Sequence, residues 1–143
     1  MRYGGRVRLG VATIVLPVLL GSSLWACVCG GLGGAQSSAE SVARAYVDAI
    51  VAQDCARAES YLDPQVRGKM SVDCGPDAHE VLVSARIDDA LSREIDLGMT
   101  GVTLVGEFVW ETRMIGHTET RTDDVYSQII AKRLDGSWYL VSW

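Results

Sequence analysis

The chain has 143 residues, enough for one domain of modest size, and 48% of them are hydrophobic and 22% charged, a balance that excludes an intrinsically disordered chain. Residues 9–39 carry no charge, whereas the residues from 40 onward carry 10 basic and 18 acidic side chains, a net charge of −8. Because an acidic domain repels phosphate backbones, we expect no nucleic-acid partner.

The first predicted element is the apolar segment of residues 9–29, which follows a basic start, MRYGGRVR. About 20 apolar residues suffice to cross a hydrocarbon core of about 30 Å as a helix. Arginines that flank such a span are retained in the cytoplasm. Residues 1–29 are therefore predicted to form a signal-anchor helix, with the membrane as the partner of residues 9–29.

Two alternatives for the N-terminal segment stay open. One is a cleaved signal peptide followed by simple secretion. The other is a lipoprotein, because LWAC resembles a bacterial lipobox that would make Cys27 the lipid-bearing residue. Here Trp25 occupies the place that a small residue usually holds. All three interpretations place the remainder of the chain outside the cytoplasm, with residues 30–37 as a Gly-rich linker and 38–143 as the extracytoplasmic domain.

The cysteines of this domain, Cys55 and Cys74, form an even pair. Outside the cytoplasm they are expected to oxidise to a disulfide, which on the chain-entropy model contributes about 3 kcal/mol for a loop of about 20 residues. Their spacing with His79 is unlike that of a zinc site, so no metal and no other cofactor is predicted.

Three helical segments are predicted next. Ser37 and Glu40 have the spacing of a capping box, so a helix should follow them. Asp54 is a capping residue for a second, short helix, and Asp63 with the proline behind it predicts a third helical turn ending near Met70. The apolar face of the first helix contains Val42, Ala45, Tyr46, Ala49 and Ile50.

Strands are predicted in the second half of the chain. Residues 79–97 fit both a helix and a strand, and the alternation of apolar residues favours a strand near Glu80 to Ile87. From Gly101 the alternation is clearer, a turn is expected at Gly116, and a strand rich in β-branched residues follows. The apolar face of the strand after Gly101 is predicted to contain Val102, Leu104, Phe108 and Trp110.

Asp135-Gly136 predicts a two-residue hairpin, since a type I′ turn needs positive φ at both positions. The resulting register pairs Leu134 with Ser137 and, further along, Ile130 with Val141 and Gln128 with Trp143. One face of this hairpin should hold Ile129, Ala131, Leu140 and Trp138, and the other Ile130, Val141, Tyr139 and Trp143. Trp143 is thus predicted to be the last paired residue of the final strand.

Helices followed by long antiparallel strands that end on DGSWYLVSW resemble the nuclear transport factor two-like (cystatin-like) superfamily. Its final strand commonly begins Gly-x-Trp, as Gly136 to Trp138 do here. The resemblance implies an α+β fold in which N-terminal helices pack against a curved antiparallel sheet, a cone-shaped half-barrel. The chain also resembles short actinobacterial membrane-anchored or lipoprotein members, in which a cysteine of the second helix pairs with one just after the helices, as Cys55 and Cys74 would.

The superfamily includes isomerases, dehydratases and cyclases that use an Asp, His or Tyr inside the cone. His117 lies in a polar turn, and Asp124 belongs to a pair of acids with no histidine nearby, so both are interpreted as solvated residues and no catalytic residue is predicted. The residues predicted to line a pocket in the cone are Tyr46, Tyr126, Trp110 and Trp138.

Two functions therefore stay open. The first is a non-catalytic, membrane-tethered extracytoplasmic domain that binds a protein partner or a small apolar ligand, as an accessory of a cell-envelope assembly. The alternative is a small-molecule isomerase or dehydratase that uses a polar group inside the cone. The resemblance also implies a homodimer formed through the sheet.

Overall fold

The structure, a computed structural model, describes residues 36–69 and 74–142, so the predicted membrane segment, Cys27 and Trp143 lie outside the described residues. Two helices are followed by four strands. The helices are α1 (Ala39–Val51) and α2 (Cys55–Ser60). The strands are β1 (Glu80–Asp96), β2 (Met99–Met114), β3 (His117–Leu134) and β4 (Ser137–Ser142).

Helix α1 begins one residue later than the sequence predicts. The capping residue is Ser38, whose hydroxyl accepts from the Ser41 backbone N–H at 3.1 Å while the Ser38 N–H donates to the Ser41 hydroxyl at 2.9 Å. The predicted box of Ser37 and Glu40 is therefore wrong. Two adjacent serines are equivalent capping candidates in a sequence, and here Ser38 has the extended backbone that a cap requires.

The second helix is confirmed and the third helical turn is not. Asp54 caps α2 by accepting from the Arg57 N–H at 3.1 Å. Residues 64–69 form hydrogen-bonded turns instead of a helix. These turns are held by Asp63, which is 4% exposed and whose carboxylate accepts from the Gln65 N–H at 2.8 Å. An aspartate whose carboxylate is hydrogen-bonded to a backbone N–H two residues later stabilises a turn whether or not a helix follows.

The four strands form one antiparallel sheet in the order β1-β2-β3-β4. Residues 79–97, whose spacing fitted a helix or a strand, lie almost entirely in a strand. Strand β1 continues from Glu80 to Asp96 and pairs with β2 along its whole length. The predicted apolar face of β2 is confirmed, since Val102, Leu104 and Phe108 are all buried. Long pairing with β2 stabilises the strand where local spacing alone fitted either structure.

The β3–β4 hairpin confirms the predicted register only near its turn. Arg133 faces Trp138, and Ala131 faces Leu140, but a bulge then makes Ile130 face Ser142 and not Val141. A bulge adds one residue to one strand, so an alternation pattern read outward from the turn shifts by one position there. The predicted pairing of Trp143 lies outside the described residues.

The sheet is curved and open, and its strand pairing is irregular around Gly106. A Cβ at this position would overlap the carbonyl group of Arg86 in β1. The register shifts on both sides of it, between Ile87 and Asp89 in β1 and between Val105 and Phe108 in β2. Bulges and a glycine at a close backbone approach are the features that bend a sheet.

Helix α1 packs on the inner face of this curved sheet and completes an α+β fold of the predicted class. Tyr46 is 1% exposed, and the facing side chains of Leu104, Ile129 and Leu140 are fully buried. Neither helix among residues 36–69 and 74–142 is long and apolar enough to cross a membrane.

Candidate functional site

A disulfide joins Cys55 at the start of α2 to Cys74 before β1, as predicted, with 5.7 Å between the Cα atoms. Beside it, the Gly75 N–H donates to the side-chain oxygen of Gln53 at 3.1 Å. The bond ties the helical half of the domain to the first strand. Disulfides persist in oxidising compartments, so this one fits a location outside the cytoplasm.

An aromatic group lies on the inner face of the sheet at the edge of the core. The rings of Trp110 and Tyr126 are stacked, with centroids 5.7 Å apart and planes at 16°. Tyr126 also contacts Phe108 at 5.6 Å with the rings tilted by 52°. Phe108 is fully buried, whereas Trp110 and Tyr126 are half-buried and pack against the core. The group therefore presents a partly exposed aromatic surface.

Arg121 lies directly across the β2–β3 pairing from Trp110, with its guanidinium carbon 5.8 Å from the centre of the indole. The same guanidinium contacts the carboxylates of Glu80 and Asp123, each at 3.0 Å. We call Trp110, Tyr126, Phe108, Arg121, Glu80 and Asp123 the Trp110 cluster. Because the Arg121 side chain is 56% exposed, these ion pairs orient it more than they stabilise the fold.

The four residues predicted to line a pocket occupy three different places. Trp110 and Tyr126 meet in the Trp110 cluster, while Tyr46 lies in the core under α1. Trp138 pairs with Arg133, which is twelve positions along β3 from Arg121, or about 40 Å along an extended strand. The sequence indicated Trp110 and Tyr126, but Arg121 and Glu80 come together only through the sheet register, which no local motif encodes.

A shallow depression of about 390 Å³ lies near the end of the β1–β2 hairpin, lined by residues 93–95, 101–103 and Ile129. Gly101 provides part of the space, since a Cβ there would come within 3.1 Å of the Ile95 terminal carbon. Arg93 and Glu94 are its charged residues, and both are exposed. Sequence reasoning missed this place, although a glycine inside a strand is a sign of close approach.

The titratable residues singled out from the sequence, His117 and Asp124, are at the surface, as is Asp88 of β1. His117 lies at the β2–β3 turn, 3.4 Å from Glu119, with both side chains more than half exposed. Asp88 is paired with Arg86 at 3.2 Å, which raises the pKa of that guanidinium. Asp124 is exposed on β3. Among the residues that the structure describes, no three His, Cys, Asp or Glu side chains are grouped so as to hold a metal ion.

One carboxyl group in the domain has a perturbed acidity with a clear structural cause. Hydrogen bonding from the Ser92 hydroxyl of β1, together with the first-turn backbone of α1, lowers the pKa of Glu40. A negative charge in the first turn of a helix also meets the positive end of the helix dipole. The first turn of α1 thus lies near the part of β1 that leads to the first hairpin turn.

Comparisons with protein-family models, with curated proteins and with solved structures gave no match for this chain. The chain is thus defined by its own structure as an α+β domain with a disulfide, in which helices pack on a curved, open antiparallel sheet.

Proposed function

We propose that the protein is a membrane-tethered, extracytoplasmic and non-catalytic member of the nuclear transport factor two-like superfamily, which binds a protein of the cell envelope. In this proposal α1 and the curved sheet correspond to the cone of the superfamily. The tether is the uncharged segment of residues 9–29, and the partner-binding surface is the Trp110 cluster.

The observation that carries the binding proposal is the half-exposed stack of Trp110 and Tyr126 with Arg121 beside it. Tryptophan, tyrosine and arginine are the residue types most enriched where protein interfaces gain most of their affinity. The stack is held in place by buried Phe108, and Arg121 is oriented by two carboxylates. A surface fixed before binding loses little conformational entropy when a partner covers it.

The location rests on two independent features. The Cys55–Cys74 disulfide is typical of proteins outside the cytoplasm. Three arginines precede residues 9–29 and all 18 acidic residues follow them, which favours a cytoplasmic N-terminus and an outside C-terminus. A lipid attached to Cys27 would place the domain on the same side of the membrane with a different anchor.

Location is tested with reporter enzymes in the full chain. A reporter that folds only outside the cytoplasm is fused after residue 143 in one version and after residue 8 in a control version. We expect activity from the first fusion and none from the second. The reverse pattern contradicts the proposed topology. Lipid labelling that disappears in Cys27→Ser would identify the lipoprotein form of the tether.

Binding is tested by photo-crosslinking in cells that express the full chain. A photoreactive residue replaces Glu119, which is exposed on the same sheet face as Arg121, or the control Glu107, which is exposed on β2 beside Gly106. We expect an adduct from position 119, none from position 107, and loss of the adduct when Arg121→Ala is added. Equal adducts from both positions, or none from either, contradict the proposal, and an adduct of twice the chain mass identifies a second copy as the partner.

A further inference from the structure

The turn between β1 and β2 is apolar and exposed. Leu97 is 83% exposed and Ile95 is 53% exposed, and the turn closes at Gly98. Leu97 has a φ of 49°, a left-handed conformation that leucine rarely adopts. Hairpin turns of this kind normally hold Asn, Asp or Gly, so a leucine here is unfavourable for the fold alone. We call Ile95 to Gly98 the apolar tip.

Exposure alone does not distinguish the apolar tip, because Ile115 at the β2–β3 turn is fully exposed as well. The two turns lie at opposite ends of the sheet, since β2 runs from one to the other. The two turns differ in their distance from Gln36, the first residue that the structure describes. The carbonyl oxygen of Gln36 accepts from the Trp138 N–H at 3.0 Å, next to the β3–β4 turn.

The β3–β4 turn and the apolar tip are at the same end of the sheet. Met99, just after the tip, pairs with Lys132, and Lys132 pairs with Tyr139, the neighbour of Trp138. The packing agrees, since α1 contacts β1 and the Ser92 hydroxyl, in the arm of the same hairpin, is near enough to Glu40 to lower its pKa. The segment that precedes the domain therefore joins it at the end that carries the apolar tip.

Chain geometry brings this tip within reach of the anchor. With neighbouring strands about 4.8 Å apart, the apolar tip lies roughly 15 Å to the side of Gln36. Six residues lie between Cys29 and Gln36, and the seven steps from one Cα atom to the next span at most about 25 Å. A domain held on so short a connection cannot move its near end far from the surface in which residues 9–29 are proposed to sit.

The charges around the tip neither repel nor select an anionic surface. Arg93, Lys132 and Arg133 are offset by Glu94, Asp96 and Asp135. Attraction to the membrane would therefore depend on the apolar side chains, which leave water when they enter the headgroup and acyl boundary.

We propose that the apolar tip inserts into the interfacial layer of the bilayer that anchors the chain, so that the domain has two contacts with the membrane and a fixed orientation. The inference rests on the proposed tether. In this orientation the β2–β3 turn, with Ile115, projects away from the membrane, and the Trp110 cluster is on that distal half of the sheet.

The test uses the full chain in phosphatidylcholine–phosphatidylglycerol vesicles with or without brominated acyl chains. Leu97→Trp is compared with Ile115→Trp, a matched substitution of an exposed apolar residue in a hairpin turn. We expect Leu97→Trp to add emission that is blue-shifted and is lost in brominated vesicles. Ile115→Trp should add emission that bromine does not quench. Both variants should unfold at the temperature of the unsubstituted chain.

A measurement without substitution supports the same comparison. In vesicles, backbone amides at residues 95–99 should exchange with solvent more slowly than those at residues 114–117. Equal quenching of the two variants, stronger quenching of Ile115→Trp, or faster exchange at the apolar tip overturns the inference. Flotation of the chain with vesicles, but without quenching of Leu97→Trp, overturns this inference and leaves the tether in place. Failure to float overturns both.

Discussion

Replacing Gly106 by alanine should destabilise the domain far more than the same change at Gly101. The three atoms nearest to a Cβ at position 106 are all backbone, in Arg86 and Ile87 of β1, and the nearest is the Arg86 carbonyl oxygen. Backbone atoms cannot rotate away as a side chain can. The new methyl group must therefore push β1 from β2 at the point where the strand register shifts.

The magnitude follows from two opposing effects. Removing a glycine from an extended segment stabilises a protein by about 0.4–1 kcal/mol, because the unfolded chain loses freedom. Overpacking costs about 1–3 kcal/mol where neighbours adjust, and more where they cannot. We expect Gly106→Ala to lose about 2 kcal/mol or more in net unfolding free energy. For a domain of about 100 residues this lowers the Tm by about 8 °C or more.

Gly101→Ala is the matched control, since it is also a glycine in β2. A Cβ there comes within 3.1 Å of the terminal carbon of Ile95, which is the end of an exposed, flexible side chain. We expect this variant to remain within about 1 kcal/mol of the parent. Unfolding of the full chain in detergent, followed by circular dichroism against temperature and urea, provides the comparison. If Gly106→Ala unfolds at or above the temperature of Gly101→Ala, the close approach at Gly106 is not a constraint on the fold.

Three further predictions concern the helical half. Changing Cys55 and Cys74 to serine should cost about 3 kcal/mol, because 19 positions separate the linked residues and the unfolded chain regains that loop's freedom; an unchanged urea midpoint would contradict this. Ser38→Ala should cost about 1 kcal/mol, measured in the same way, since the first turn of α1 loses its cap, whereas Ser37→Ala should cost little. Because the pKa of Glu40 is lowered in the folded state, its ionised carboxylate stabilises the fold at pH values above its ordinary pKa. This stabilisation disappears as the pH falls through the folded-state value. Glu40→Gln should thus be less stable than the parent at pH 7, and the difference should shrink as the pH falls below the ordinary carboxyl value; a difference that does not shrink in acid would refute the assignment.

Local chemistry predicted the local elements. Asp54 indicated the start of α2, and Asp135-Gly136 indicated a hairpin whose two residues have φ of 48° and 88°, as a type I′ turn requires. Each of these features depends on residues within a few positions of one another. The buried face of β2 was also predictable, because alternation with period two depends only on the strand itself.

Apart from the capping residue of α1 and the third helical turn, which are local, the sequence was insufficient where distant partners decide. Strand β1 continues to Asp96 because β2 pairs with it, although its own spacing fits a helix as well. The bulge beside Ile130 is set by contacts across β3 and β4, which turn chemistry does not encode. The Trp110 cluster combines Glu80 of β1 with Arg121 of β3, residues far apart in the sequence that meet only once both strands have paired with β2.

On the edge that faces away from β3, strand β4 pairs with the segment around Leu62, and this pairing affects when the domain can fold. The Leu140 N–H donates to the Tyr61 carbonyl at 2.9 Å, and its carbonyl accepts from the Asp63 N–H at 2.8 Å, while the Leu140 side chain is fully buried. Segments nearly 80 residues apart are thus joined by backbone hydrogen bonds, and such distant pairing slows folding. During synthesis the parts of the domain that contact β4, namely α1, the segment of Tyr61 to Asp63 and β3, emerge before β4 does. The core of a growing chain therefore stays incomplete until β4 has been made.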